Sequence, residues 1–252
     1  MDSRIAGLDL KTSLSALVDL VLPRVCVVCG RPLLPGEKCI CMSCLADFPQ
    51  THFAALSHNP MSDKFNAAVR GDRYEPYAYA AALFYYSEDN GYSSVTRALK
   101  YRRDFVTGEF FADLLGEQLR GSELFSDVDL VVPVPLHWRR RLSRGYNQAE
   151  VIARRVARAL DVPCDGRLLH RCRGTVSQTT LSGDDKRMNV AGAFRLDASR
   201  CGRLDGVEHL LLVDDVFTSG STLAACSSAV REAADRPQMR ISVATLAFVG
   251  AV

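Results

Sequence analysis

The chain is poor in lysine, in tryptophan and in long apolar runs. Only 5 of its 31 basic residues are lysine, the other 26 are arginine, and Trp138 is the single tryptophan. No uninterrupted apolar run approaches the roughly 20 residues that a membrane-spanning helix needs. The best stretch, Leu14 to Leu22, is short and carries Asp19. A secretory leader fits no better: Asp2, Arg4, Asp9 and Lys11 occupy the start, and no small-x-small cleavage site follows Leu22. These absences predict a cytoplasmic protein. A net charge of +2 excludes a polycation, and 48% hydrophobic with 24% charged residues excludes wholesale disorder. A length of 252 residues allows one large domain or two modest ones.

The arginines are unevenly spread. Seven lie between Arg139 and Arg158, with Glu150 as the one acid among them. The planar guanidinium fork matches phosphate geometry, so a local excess of this kind suggests an anionic ligand.

Hydrophobic spacing gives a coarse outline. Asp9 to Leu22 has helical periodicity ended by Pro23, and a cysteine-rich segment follows to about Phe48. The division expected is an N-terminal helix and cysteine module over 1–50, a connector over 51–76 and an α/β domain over 77–252. Within the last, Tyr79–Tyr86, Asp129–Pro135, Val207–Val213 and Arg240–Val249 read as strands. Val95–Tyr101, Phe110–Arg120, Asn147–Leu160 and Ser221–Ala234 read as helices, the third with Val151, Ile152, Val156 and Leu160 inward. Strands alternating with helices predict a mainly parallel sheet flanked by helices. Arg171 to Gly192 loses all apolar period, as a long functional loop would.

Nine cysteines fall into two groups: five between Cys26 and Cys44, and four scattered beyond. Cys26-x₂-Cys29 and Cys41-x₂-Cys44 are two knuckles, each able to place two thiolates on one side of a metal. Together they suit a tetrahedral, structural Zn²⁺. Cys39 stands as an alternative to Cys41.

The most informative stretch is Leu210-Leu-Leu-Val-Asp214-Asp215-Val216-Phe217-Thr218-Ser219-Gly220-Ser221-Thr222-Leu223. An apolar strand runs into two acids, a small hydroxylated turn with one glycine, and then a helix. Backbone N–H groups at such a turn, backed by the helix dipole, form an anion site. Adjacent acids beside a phosphate need another purpose, such as sugar hydroxyls or a divalent cation. A ribose 5-phosphate satisfies both halves.

This stretch resembles the phosphoribosyl-pyrophosphate signature of type I phosphoribosyltransferases, two acids followed by Thr-Thr/Ser-Gly-Ser/Ala-Thr. Val131-Val-Pro-Val-Pro135, Arg139, Arg141, Arg144-Gly-Tyr-Asn-Gln148, Ser177-Gln178, Arg187-x-Asn189 and Ala193-Phe194 extend the likeness. With the cysteine knuckles and Leu99-Lys100-Tyr101, the chain resembles the competence protein F (ComF) family of bacteria over roughly residues 20–250. The resemblance implies a type I phosphoribosyltransferase-like fold with a small N-terminal Cys₄ zinc ribbon. It implies Asp214 and Asp215 at the ribose hydroxyls and Thr218 to Thr222 around the 5-phosphate, with Val216 and Phe217 also at the substrate. Arg139, Arg141 and Arg144 would receive pyrophosphate, with Lys100 also at the substrate. Mg²⁺ would accompany phosphoribosyl pyrophosphate, and Arg187 would reach it from a Thr175–Asn189 lid.

Three functional readings follow from the residues and the resemblance. The first is transfer of the phosphoribosyl group to an acceptor that no motif identifies. The second is handling of single-stranded DNA in natural transformation, with DNA-uptake proteins as partners and Trp138 and Tyr146 available for base stacking. The third is a regulator that binds phosphoribosyl pyrophosphate without turnover.

Overall fold

The computed structural model describes residues 23–69, 76–89, 91–172, 192–234 and 236–250. Four strands build its main sheet: β1 (Ala80–Tyr85), β2 (Leu130–Pro133), β5 (His209–Phe217) and β6 (Arg240–Phe248). Their order is β1-β6-β5-β2, and every pairing is parallel. A short antiparallel ladder joins β3 (Leu169–Arg171) to β4 (Phe194–Leu196). In β6 every residue after Arg240 is buried, which is why its apolar run shows no alternation: parallel strands are covered on both faces.

The two faces have separate cores. Leu211 and Val213 of β5 look toward α4 (Phe105–Arg120) and α6 (Gln148–Leu160), where Phe111, Leu115, Ile152 and Val156 are fully buried. Leu210 and Leu212 look the other way, toward α2 (Pro60–Val69), which follows the short α1 (Met42–Ala46), and α7 (Ser221–Ala234); these two contribute Met61, Phe65, Cys226 and Val230. On the first face Arg155 of α6 makes a two-pronged bridge to Asp113 of α4, at 2.6 and 2.5 Å. In α6 Ile152 and Val156 point inward as the spacing predicts, while Val151 and Leu160 are half-buried.

Several expectations need correction. Residues 51–76 read as a connector, yet Pro60–Val69 is a helix seated in the second core. Asn59 Oδ1 accepts from the N–H groups of Met61 and Ser62, and Pro60 takes the first helical position, a standard start. Only Met61 and Phe65 mark its apolar face, too few to show a period. The helix expected from Phe110 begins at Phe105, because the Asp104 carboxylate accepts from Thr107 N–H and caps it there. The helix expected over 95–101 divides into α3 (Ser93–Arg97) and a π turn (Ala98–Arg102). Trp138–Arg144 forms a further helix, α5, that buries none of its residues and so carries no core signal. The helix expected over 9–22 and the loop over 173–191 lie outside the described residues.

Candidate functional site

A cleft of about 1180 Å³ opens at the carboxyl ends of the parallel strands. Open parallel sheets take their ligands at this edge. Asp214, Asp215 and Val216 of β5 form its floor, Val134 and Pro135 enter from the end of β2, and Lys100 enters from the π turn.

β5 runs to Phe217, beyond the expected end at Val213, so the acids lie inside the ladder: Asp214 pairs with Thr245 and Val216 with Ala247. The Asp215 N–H donates to Asp214 Oδ1 at 2.9 Å. Burial, and then the charge of Asp215, push the Asp214 carboxyl up to about 7. Asp215 has a cation of its own, with Lys100 Nζ 2.8 Å from its Oδ2. Burial alone would pull the Lys100 ammonium down, but Asp215 outweighs it and holds it above its usual value.

The turn that follows is shaped by Gly220. Its φ is +75°, and a Cβ there would stand 2.7 Å from the Phe217 ring, which is buried beneath it. Ser219 and Ser221 hydroxyls lie 2.9 Å apart, Thr218 is exposed, and residues 216–223 line a small recess at the start of α7. The first N–H groups of α7 lack carbonyl partners one turn back, and Ser221 N–H turns to Ser219 Oγ at 3.5 Å, so the recess faces the positive end of the helix. Lys64 of α2 donates to the Thr218 carbonyl at 2.8 Å, so the helix that sequence reasoning missed braces this turn.

The arginine group splits by helical rotation. Arg140 and Arg144 lie four apart and line the cleft, whereas Arg139 and Arg141 do not. Arg144 also donates to Gln148 Oε1 at 3.1 Å and stacks over Tyr101. The opposite face of α5 presents Trp138 and Leu142, 55% and 76% exposed, with Arg139 stacked on the indole. Arg171 of β3 is a cleft residue that no sequence signal marked. Arg154 is engaged by Glu150 at 2.6 Å, on the helix surface. Arg187 lies outside the described residues.

The second candidate centre is the cysteine group. The sulfur atoms of Cys26, Cys29, Cys41 and Cys44 all lie within 4.8 Å of one another. A tetrahedral zinc with Zn–S bonds of about 2.3 Å has sulfur–sulfur edges of about 3.8 Å. Cys29 and Cys41 are 3.7 Å apart, so the set fits a metal such as zinc. Arg31 reaches both, at 3.5 Å from Cys29 Sγ and 3.4 Å from Cys41 Sγ. Cys39 is not in the group. It is buried against Thr107 of α4, and burial pushes its thiol up to about 11.

Fold and site together define a parallel α/β domain with an acid pair and a hydroxyl-rich helix-start turn at its carboxyl edge, carrying a cysteine module that fits a zinc ribbon. No family model matches the chain. DNA utilization protein YhgH of Escherichia coli is 31% identical over 221 residues, which cover 81% of this chain and 89% of that protein. Competence protein F of Haemophilus influenzae is 33% identical over 143 residues, covering 56% of this chain and 62% of that protein. DNA utilization protein YhgH of Salmonella typhi is 38% identical over 135 residues, 52% of this chain and 57% of that protein. The match thus spans less than two thirds of the Haemophilus and Salmonella typhi relatives. The chain belongs to the ComF family. Among its described residues no helix is long and apolar enough to cross a membrane.

Proposed function

We propose that the protein binds phosphoribosyl pyrophosphate with Mg²⁺ in the carboxyl-edge cleft and transfers the phosphoribosyl group to an acceptor. The observation that carries this reading is the direct succession of the acid pair and the Gly220 turn at the start of α7. It provides sites for ribose hydroxyls and a 5-phosphate in one ligand. Asp214, with its carboxyl pushed up beside Asp215, is a group in want of positive charge, so the acid pair fits a divalent cation as well as sugar hydroxyls. Mg²⁺ would supply charge neutralisation for the pyrophosphate. In the transfer, the bond from the anomeric carbon to a pyrophosphate oxygen breaks with its electron pair leaving on pyrophosphate, and the acceptor's nucleophilic atom bonds to that carbon. Arg140 and Arg144 stand where they can stabilise the departing charge, and Arg187 is the family-implied third. The cysteine module is assigned a structural Zn²⁺ on Cys26, Cys29, Cys41 and Cys44, with no open position for chemistry.

The test is incubation with Mg²⁺, phosphoribosyl pyrophosphate and a cell metabolite extract while pyrophosphate release is followed. Release that depends on the extract supports transfer. Calorimetric binding without release makes the protein a regulator, and no binding overturns the reading.

A second reading, action on single-stranded DNA in the cytoplasm together with DNA-uptake proteins, is favoured by the outward face of α5. Trp138 offers a stacking surface and Arg139 and Arg141 offer phosphate contacts away from the cleft. The names of the relatives, a competence protein and a DNA utilization protein, agree with it.

A further inference from the structure

Lys100 sits in the π turn between α3 and α4, and the cysteine module grips the chain on both sides of that turn. Upstream, the Tyr92 hydroxyl donates to the Cys44 carbonyl at 2.7 Å, and the Ser94 hydroxyl is shared between the Val27 and Gly91 carbonyls, 2.5 Å from each. Gly91 lies against the module with φ +76°, and a Cβ there would stand a tight 3.1 Å from the Val28 carbonyl oxygen. Downstream, Cys39 is buried beside Thr107, in the first turn of α4 that Asp104 caps. The two grips are tied together, since Val27 N–H donates to the Cys39 carbonyl at 2.8 Å. The acceptors are also well chosen for rigidity. Cys44 is one of the four clustered cysteines, and Val27 follows another, so whatever fixes the sulfur positions fixes the carbonyls that Tyr92 and Ser94 hold.

A π turn is a poor hydrogen-bonding arrangement that persists where its surroundings hold it, and such turns recur at functional sites. Here its product is the 2.8 Å contact between Lys100 Nζ and Asp215 on the cleft floor. We infer that the cysteine module sets the placement of Lys100 in the cleft, with Tyr92 and Ser94 as the positioning residues that transmit it. The module then acts on the ligand site from outside it, and the state of the four cysteines is read out as the strength of the Lys100–Asp215 pair.

Lysine acylation of the zinc-loaded full chain tests this without reference to any ligand. Limited acetic anhydride labelling is quantified at each lysine by mass spectrometry, with Lys64 as internal reference. The double variant Tyr92→Phe, Ser94→Ala removes two hydroxyls and keeps the aromatic packing. It should retain its zinc while Lys100 labelling rises several-fold and Lys64 labelling stays constant. Unchanged Lys100 labelling in that variant overturns the proposal. A rise at both lysines, marking general loosening, overturns it too. A further arm rests on the proposed function. The double variant should bind Mg²⁺ and phosphoribosyl pyrophosphate about tenfold more weakly, and should have no further effect in a Lys100→Met background. Additive losses would overturn the route through Lys100. Failure of the wild type to bind phosphoribosyl pyrophosphate would sink the proposed function, with the labelling outcome still deciding the inference.

Discussion

Ser242 Oγ lies 2.7 Å from His209 Nε2, and on the far side of the ring Nδ1 lies 2.6 Å from Asp127. The connectivity is that of a hydrolytic triad, but the place is not. Ser242 is fully buried at the end of the sheet opposite the cleft, and its oxygen also accepts the Tyr79 N–H at 3.0 Å. The chain of hydrogen bonds therefore satisfies buried polar groups, and it suits a ring with its proton on Nδ1 toward Asp127, while burial disfavours a second proton.

That arrangement makes stability depend on pH. Burial lowers the His209 pKa, and the Arg240 charge adds to this, while Asp127 and Asp129 pull it up without prevailing. In the unfolded chain the ring titrates near ~6.5. Below that value the unfolded state binds a proton that the folded state resists. The contribution of neutral His209 is thus complete above about pH 6.5 and is lost as pH falls toward the lower folded value. Urea unfolding at pH 7.5, 6.5 and 5.5, pH values chosen to span ~6.5, should show a decline. His209→Gln should be less stable at the top of the range, by about 1–3 kcal/mol, and show a shallower decline.

Metal content should follow the four clustered sulfurs. Cys29→Ser and Cys44→Ser should lose zinc and leave an unstable N-terminal module, whereas Cys39→Ser should keep it. Elemental analysis of the three purified variants decides this. Full retention in the first two would remove the assignment.

The acids should matter to ligand and little to the fold. Asp214→Asn and Asp215→Ala should abolish Mg²⁺-dependent binding of phosphoribosyl pyrophosphate in calorimetry while changing stability by only about 1 kcal/mol. The Asp214 carboxyl ionises only near 7 in the free protein. Binding that uses the carboxylate should therefore strengthen as pH rises through that region, and lose this dependence in Asp214→Asn.

The arginines of α5 should separate into two sets. Arg140→Gln and Arg144→Gln should weaken phosphoribosyl pyrophosphate, since both line the cleft. Arg139→Gln, Arg141→Gln and Trp138→Ala should leave it unchanged and weaken single-stranded DNA. Fluorescence anisotropy across a salt series checks the second set. Affinity for a single strand should fall by roughly 0.7 log units per log unit of salt for each phosphate neutralised. A flat salt response would exclude direct backbone binding.

What could be read from the chain alone followed from how strongly each element advertises itself. α7 is bounded by a glycine turn and a long apolar period, and it occupies Ser221–Ala234 as the spacing predicts. β6 ends one residue short of the expected Val249, its length marked by an unbroken apolar run. The cysteines drew attention by spacing, and their convergence follows from it. α2 and α5 were hidden for opposite reasons. The first buries only two large apolar side chains, and the second buries nothing, so neither has a periodic stripe. The inclusion of Arg140 and Arg144 with the exclusion of Arg139 and Arg141 was equally hidden, because it depends on α5 being helical at all. Arg171 reaches the cleft through a three-residue strand, a contact between distant segments that no local pattern encodes.

Because β5 carries its ladder with β6 through to Phe217, the backbone beneath Asp214 and Asp215 is held by strand pairing before any ligand arrives. Little conformational entropy remains to be lost there on binding. The adjustable parts are elsewhere: a lysine on a four-carbon stem and a turn with an exposed threonine. On the proposed function, the ligand should have to conform to the acids first, and a sugar ring with two hydroxyls at the wrong spacing should bind more weakly than ribose.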